Sequence, residues 1–223
     1  MITVHHLNNS RSQRVLWLLE ELGVRYEVRR YERDKKTMLA PPELKAIHPL
    51  GKSPVITDEG RTLAETGAII EYILARYGNG RLVPEAGSED QLRFLYWLHY
   101  AEGSAMTPLL LKLVFTKIAS TKMPFFAKPI ARGIADKVLS SFVDPNLARQ
   151  MAFMESELSP GPWFLGANFS AADVQMSFPI EAANQRAGLA KNKTPRLLDW
   201  LARAHARPAY QRALARGGKY DFA

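Results

Sequence analysis

This chain predicts a small α/β domain over residues 1–78, a linker over 79–88 and an all-helical domain over 89–223. Three observations lead there. The first 78 residues alternate short strand-like runs with runs of helical period. Gly78-Asn79-Gly80 and Pro84 to Ser88 then form a turn-rich break. Beyond it no strand-like alternation occurs, and several apolar patterns of helix length follow.

Taken in order, Ile2 to Leu7 reads as the first strand. Ser10 to Gly23 reads as a helix, because Val15, Leu18, Leu19 and Leu22 share a face and Gly23 stands where a C-terminal cap is expected. Ser10-Arg11-Ser12-Gln13 matches the S-x-x-Q capping box at its start. From Arg25 to Arg30, Tyr26 and Val28 alternate with charges as in a half-buried strand. A loop with Pro41-Pro42 leads into a helical turn at Glu43 to Ile47. Val55 to Thr57 and Arg61 to Leu63 are strands joined at Asp58-Glu59-Gly60, and a helix runs from Thr66 to Tyr77. In the second part Gln91 to about Phe115 is one long helix in which Pro108 is expected to make a kink. Ala127 to Val143, Asn146 to Leu158, a helix opening at Ser170-Ala171-Ala172-Asp173, Arg196 to Ala206 and Ala209 to Arg216 complete the helical set. Tyr96, Trp97 and Tyr100 spread round more than one face of the long helix, so a second burial partner, and hence a homodimer, is expected.

Composition removes several function classes. With 223 residues the chain can bury a core without staples. No segment approaches the roughly 18 apolar residues of a membrane span. The N-terminus shows no basic stretch followed by an apolar run, so no membrane partner and a cytoplasmic location are expected. There is no cysteine, which excludes a disulfide framework, a thiolate metal site and any mechanism through a protein thiol. His5-His6 is no metal pair, because adjacent strand side chains face opposite ways. A net charge of +8 and a pI near 9.7 accompany scattered basic residues without interleaved aromatics. That suits a surface that attracts small anions better than nucleic acid.

Gly51-Lys52-Ser53-Pro54-Val55-Ile56, with Glu65-Thr66 eleven residues beyond the proline, organises the first domain. Proline has no N–H to give to a sheet ladder and is confined to strand starts, edges or bulges. A cis Ser53-Pro54 bond is expected, with the polar groups of Val55 facing outward; a cis bond costs as little as ~0.5–1 kcal/mol only before proline. Nearby, the free N–H groups at a helix start suit a carboxylate. Such a place can hold an extended peptide with a free acid.

Lys-Ser-Pro-Val-Ile with Glu65-Thr66 resembles the glutathione-binding half of the cytosolic glutathione transferases. His6-Leu7-Asn8-Asn9-Ser10-Arg11-Ser12 leading into Val15 to Leu22 is similar to their bacterial and fungal serine-type members. The likeness covers nearly the whole chain. It implies an N-terminal thioredoxin-like domain, an all-helical C-terminal domain and glutathione as co-substrate. The partners are glutathione and a small electrophile held by the helical domain. It implies that Glu65 takes the ammonium and Thr66 the carboxylate of the γ-glutamyl end, that Val55 after Ser53-Pro54 pairs with the cysteinyl unit, and that Lys52 neutralises the glycyl carboxylate. Lys36 and His48 are lesser candidates there. Where relatives carry a third polar residue after Glu-Thr, this chain has Gly67.

Ser10 stands where serine-type relatives place the hydroxyl that faces sulfur. A free thiol with a pKa of about 8.5 is roughly 3% ionised at pH 7, and two units of depression make it mostly thiolate. A hydroxyl that donates to sulfur favours that charged form. Asn9 and Ser12 are alternatives, and Arg11 is either a stabiliser of negative charge or a solvated side chain. Glu65 and Thr66 also suit plain helix capping, and Ser170-x-x-Asp173 looks like the family's buried capping box. Met106, Leu110, Phe115 and Phe125-Phe126 are candidates for the electrophile pocket, against a role as core. The sequence thus reads as a glutathione transferase that conjugates the thiolate to apolar electrophiles. Alternatives are a glutathione-dependent peroxidase or disulfide reductase and a non-catalytic relative that only binds.

Overall fold

The computed structural model describes all 223 residues. Four strands, β1 (Ile2–Leu7), β2 (Tyr26–Tyr31), β3 (Val55–Asp58) and β4 (Arg61–Ala64), form one sheet in the order β2-β1-β3-β4. β1 and β2 are parallel, joined across α1 (Ser12–Leu22), and β3 runs antiparallel to both β1 and β4. α2 (Pro42–Ile47) precedes β3, and α3 (Thr66–Tyr77) follows β4. The rest is helical: α4 (Glu89–Tyr100), α5 (Met106–Ser120), α6 (Lys128–Val138), α7 (Asp144–Glu157), α8 (Ala171–Ala187), α9 (Pro195–His205) and α10 (Pro208–Gly217).

The α1 sequence suggests one apolar face, yet Leu16 and Trp17 are as buried as Val15, Leu18 and Leu19. α1 packs on β1, α3, α8 and α10 together, so residues 12–19 are buried on every side, polar ones included. Trp17 meets Tyr210 of α10 edge to face at 5.1 Å. Gly23 takes the left-handed conformation (φ 62°) that ends α1, and its N–H is bonded to the carbonyls of Glu20 and Leu19.

Two expectations change locally. Pro108 marks a distortion of the long helix, but it falls upstream of the proline, where Ala101–Ala105 widens into a π-helical turn just before α5. The proline ring cannot sit against the carbonyl four residues back, that of Ser104, and cannot donate to it. The wide turn falls where that carbonyl lies. Pro145 stands in the same relation to a second π turn at Leu139–Val143, between α6 and α7. The capping box at Ser10 is also not made. Arg11 occupies the N-cap position, and the side-chain amide of Gln13 is buried without a hydrogen-bond partner.

The second box is complete. The Ser170 hydroxyl accepts from Ala172 N, and Asp173 Oδ2 accepts from Ser170 N at 3.0 Å. Asp173 Oδ1 also accepts from Phe164 N and Trp200 Nε1, each at 3.0 Å, which ties the 163–168 turn and α9 to α8. Burial pushes this carboxyl up to about 6, against the pull of those donors. Asp173→Ala would strand several buried N–H groups as well as remove a cap. We expect it to cost at least about 3 kcal/mol in urea unfolding, with ligand affinity of the folded fraction unchanged.

Candidate functional site

The β1–α1 turn, the 51–54 loop and the start of α3 come together at one end of the sheet. The register that sets Ala64 opposite Val55 brings Glu65 beside Pro54. Ser53-Pro54 is cis. The Ser53 hydroxyl donates to His5 O at 3.2 Å and accepts from Leu7 N at 3.4 Å, which fastens the proline loop to β1. Glu65 is exposed at φ 68°, a region costly for any residue with a Cβ and one that gathers at functional positions. Thr66, next to it, is buried, and its hydroxyl accepts from Arg14 Nη2 at 3.3 Å. Lys52 is exposed and in no ion pair, and Lys36 is exposed in the β2–α2 loop. His48 is half-buried at the C-terminus of α2.

A cleft of about 750 Å³ opens between this end of the sheet and the helical part. Asn9, Ser10, Arg11 and Ser53 face it from one side, and Met106 and Leu110 of α5 with Phe178 of α8 from the other. Phe115 does not line it, nor do Phe125 and Phe126. Those two are neither pocket nor core, being 89% and 66% exposed.

The three residues weighed for sulfur separate clearly. Ser12 is fully buried, with its Oγ 2.8 Å from His6 Nδ1 and 2.7 Å from Ser10 Oγ. It lies beneath Ser10 and cannot reach a molecule in the cleft. Asn9 holds a left-handed conformation (φ 50°), and its amide is engaged twice by the C-terminal tail. Asn9 Nδ2 donates to Asp221 at 2.6 Å, and Asp221 N donates to Asn9 Oδ1 at 2.8 Å. Ser10 accepts from Ser12 N at 3.3 Å and reaches Ser53 Oγ at 3.2 Å, and it also lines the cleft.

His6 governs the direction of these hydroxyl bonds. Burial and the charge of Arg30 lower its pKa to about 4, opposed by a bond to the Gly217 backbone, so the ring is neutral at pH 7. In the neutral tautomer that carries its proton on Nε2, Nδ1 accepts from Ser12. Ser12, having donated to His6, is an acceptor toward Ser10. The Ser10 proton is therefore free to turn among Ser12, Ser53 and the cleft.

Sequence reading missed the ionic group behind the turn. Arg11 Nε donates to both oxygens of Glu102, at 2.8 and 3.0 Å, and lies over the Phe178 ring at 4.8 Å. Arg14, buried, is ion-paired with the same Glu102 and donates to Gln175 O at 2.5 Å. Burial raises the Glu102 carboxyl, but Arg14 and Arg11 outweigh it and hold the group below the usual carboxylate range. Glu102 sits on the π turn, a feature frequent at functional sites. Only Pro108 six residues on hinted at it.

An α/β unit with a cis-proline loop, set across a cleft from a helical half, defines a two-part protein. Residues 1–75 match the glutathione S-transferase N-terminal domain, and residues 121–208 match the C-terminal domain. Glutathione S-transferase 1 of Saccharomyces cerevisiae is 35% identical over 217 residues, covering 94% of this chain and 92% of that one. Glutathione S-transferase 3 of Schizosaccharomyces pombe is 34% identical, covering 94% and 85%. A crystal structure of a glutathione S-transferase from Actinobacillus pleuropneumoniae aligns with a TM-score of 0.83 at 32% identity, over 100% of this chain and 95% of that one. The chain belongs to the glutathione S-transferase family, which uses glutathione as co-substrate.

The buried His6 gives a pH test. Its folded pKa is depressed, so its stabilising contribution is full above the unfolded value near 6.5 and is lost as pH falls toward 4. Asp173, raised to about 6, acts in the opposite sense over the same range, so the wild type alone would mask the effect. We expect the stability difference between wild type and His6→Asn to shrink by about 3 kcal/mol from pH 7 to pH 4 in urea unfolding.

Proposed function

We propose that this protein binds glutathione as its thiolate at Ser10 and conjugates it to an electrophile held in the interdomain cleft. The observation that carries this reading is the position of the Ser10 hydroxyl, at the cleft floor and 3.2 Å from the serine that precedes the cis-proline. A thiolate is a better acceptor than the neutral oxygens of Ser12 and Ser53, because a bond to an ion is about twice as strong. Sulfur arriving there would accept the hydrogen bond of the Ser10 hydroxyl without any change in the scaffold. In this reading Glu65 receives the γ-glutamyl ammonium, Thr66 the adjoining carboxylate at the start of α3, and the Val55 backbone the cysteinyl unit. Lys52 takes the glycyl carboxylate. Catalysis then consists of thiol ionisation and positioning, with Arg11 adding positive charge beside the sulfur.

The same reading includes a homodimer. Leu92, Leu95 and Tyr96 leave an apolar stripe of α4 exposed at 75%, 36% and 47%, while Trp97 and Tyr100 of the same helix are buried. A helix apolar on two sides needs a second surface, and sedimentation as a monomer at micromolar concentration would overturn the dimer.

Glu65→Ala should weaken glutathione binding in calorimetry by about 1.5–3 kcal/mol, the range for a hydrogen bond to a charged group. Unchanged affinity would remove Glu65 from the site. Ser10→Ala should raise the pKa of the bound thiol, followed by thiolate absorbance, and lower turnover of an aromatic halide at pH 6.5 at least tenfold. Its glutathione affinity should stay close to wild type. A thiol pKa that moves with Asn9→Ala and not with Ser10→Ala would transfer the role to the amide. Turnover of cumene hydroperoxide in place of the halide would shift the activity from conjugation to peroxide reduction.

A further inference from the structure

We propose that the acceptor side of the cleft is built for an amphipathic anion, an aryl or alkyl electrophile bearing a carboxylate or sulfonate, rather than for a neutral apolar molecule. This rests on the preceding reading that the cleft holds the electrophile.

Five cationic side chains line the cleft against a single carboxylate, Asp221. Some of that charge is already answered. Arg11 is paired with Glu102, and Lys112 with Asp144 at 2.7 Å. Asp221 is itself engaged, by Lys219 at 3.3 Å and by Asn9. Arg33, Lys117 and Arg186 remain, and none of them has a carboxylate oxygen within 4 Å.

The placement of these cations is informative. Arg186, on α8, is half-buried with its guanidinium 5.7 Å from the centre of the Phe222 ring. Burial and the neighbouring charge of Arg11 both disfavour its charged form, and Arg33 is disfavoured in the same two ways. A guanidinium nevertheless stays protonated in proteins. At Arg33 and Arg186 the cleft therefore holds positive charge that is partly desolvated, crowded by like charge and without a counter-ion, and exposed Lys117 adds a third cation at its edge. An unpaired cation of this kind is costly, and an incoming anion relieves the cost. Arginine is also the side chain that best matches a planar carboxylate.

Apolar surface lies between these charges. Met106, Leu110, Phe178 and Phe222 line the same cavity. Arg33 comes from the sheet side and is available to glutathione itself. Lys117 and Arg186 come from α5 and α8 on the far side, so they select for charge on the second substrate. A pocket of apolar walls with a few placed charges fixes the orientation of a ligand that has both characters. The overall charge of +8 draws anions toward it.

The test uses two fluorescent probes of similar size, 1-anilinonaphthalene-8-sulfonate and the neutral N-phenyl-1-naphthylamine. Each is titrated onto the full-length protein and onto Lys117→Gln, Arg186→Gln and the double variant, with S-hexylglutathione as competitor to report the cleft. We expect the displaceable sulfonate to bind at least tenfold tighter than the neutral probe at low salt, with the advantage shrinking in 0.5 M salt. The double variant should lose at least fivefold in sulfonate affinity and keep its affinity for the neutral probe. Equal affinity for the two probes, or a sulfonate indifferent to both substitutions, overturns the proposal. Calorimetry of S-hexylglutathione is read separately. Its failure to bind would overturn the glutathione reading, whereas binding of it with a charge-blind cleft would overturn only the anion.

Discussion

One buried cation, Arg14, ties the two halves of the molecule at the site. It is 1% exposed and must be answered by groups from other elements. Glu102 from the π turn supplies the opposite charge, Gln175 of α8 a carbonyl, and Thr66 of α3 a hydroxyl. The Gln175 carbonyl is free for this because Pro179, four residues on in α8, has no N–H to give it. Breaking a buried ion pair typically costs about 3–5 kcal/mol because the remaining charge is left uncompensated. These partners meet the cation only when α1, α3, the π turn and α8 are all in place, and its Nε is still buried without one.

That constraint fixes the working end of the molecule. Arg14 lies one helical turn beyond Ser10 and bonds Thr66, so the candidate sulfur partner and the candidate γ-glutamyl contact hang from one guanidinium. Arg11, on the same turn of chain, shares Glu102 and thereby places its positive charge at the cleft wall. Below them His6, Ser12, Ser10 and Ser53 form a line of short polar contacts from the centre of the domain to the cleft. Burial keeps the ring of His6 neutral at the inner end of that line.

Much of this was legible from residue order. The strands and helices of the first domain, the cis Ser53-Pro54 bond and the cap at Gly23 follow from local rules of period, turn chemistry and proline geometry. So does the Ser170-Asp173 box, whose partners lie within one turn of helix. The box proposed at Ser10 obeyed the same local rule and was not made. The Ser10 hydroxyl is engaged by Ser12 two residues on and by Ser53 across the domain, and Gln13 was drawn under α10 beside Gly217. The pocket aromatics were misplaced for a related reason. Phe125 and Phe126 stand in the turn between α5 and α6, where no helical period applies, and only the packing decides that this turn leaves them to solvent.

The sequence by itself determined the elements, the two-part architecture, the family and the small set of residues proposed to meet glutathione, since these rest on local patterns and on the order of short motifs along the chain. The tertiary structure decided how each member of that set is held. It buried Ser12, tied Asn9 to a tail more than two hundred residues away, and set the Ser10 hydroxyl against Ser12 and Ser53 at the cleft. It also decided which charges are neutralised, pairing Arg11 and Arg14 with Glu102 and leaving Arg33, Lys117 and Arg186 without an acid. Local propensity fixes where a side chain starts along the chain. The counter-charge or hydrogen bond that it finds depends on distances that only the packed molecule sets.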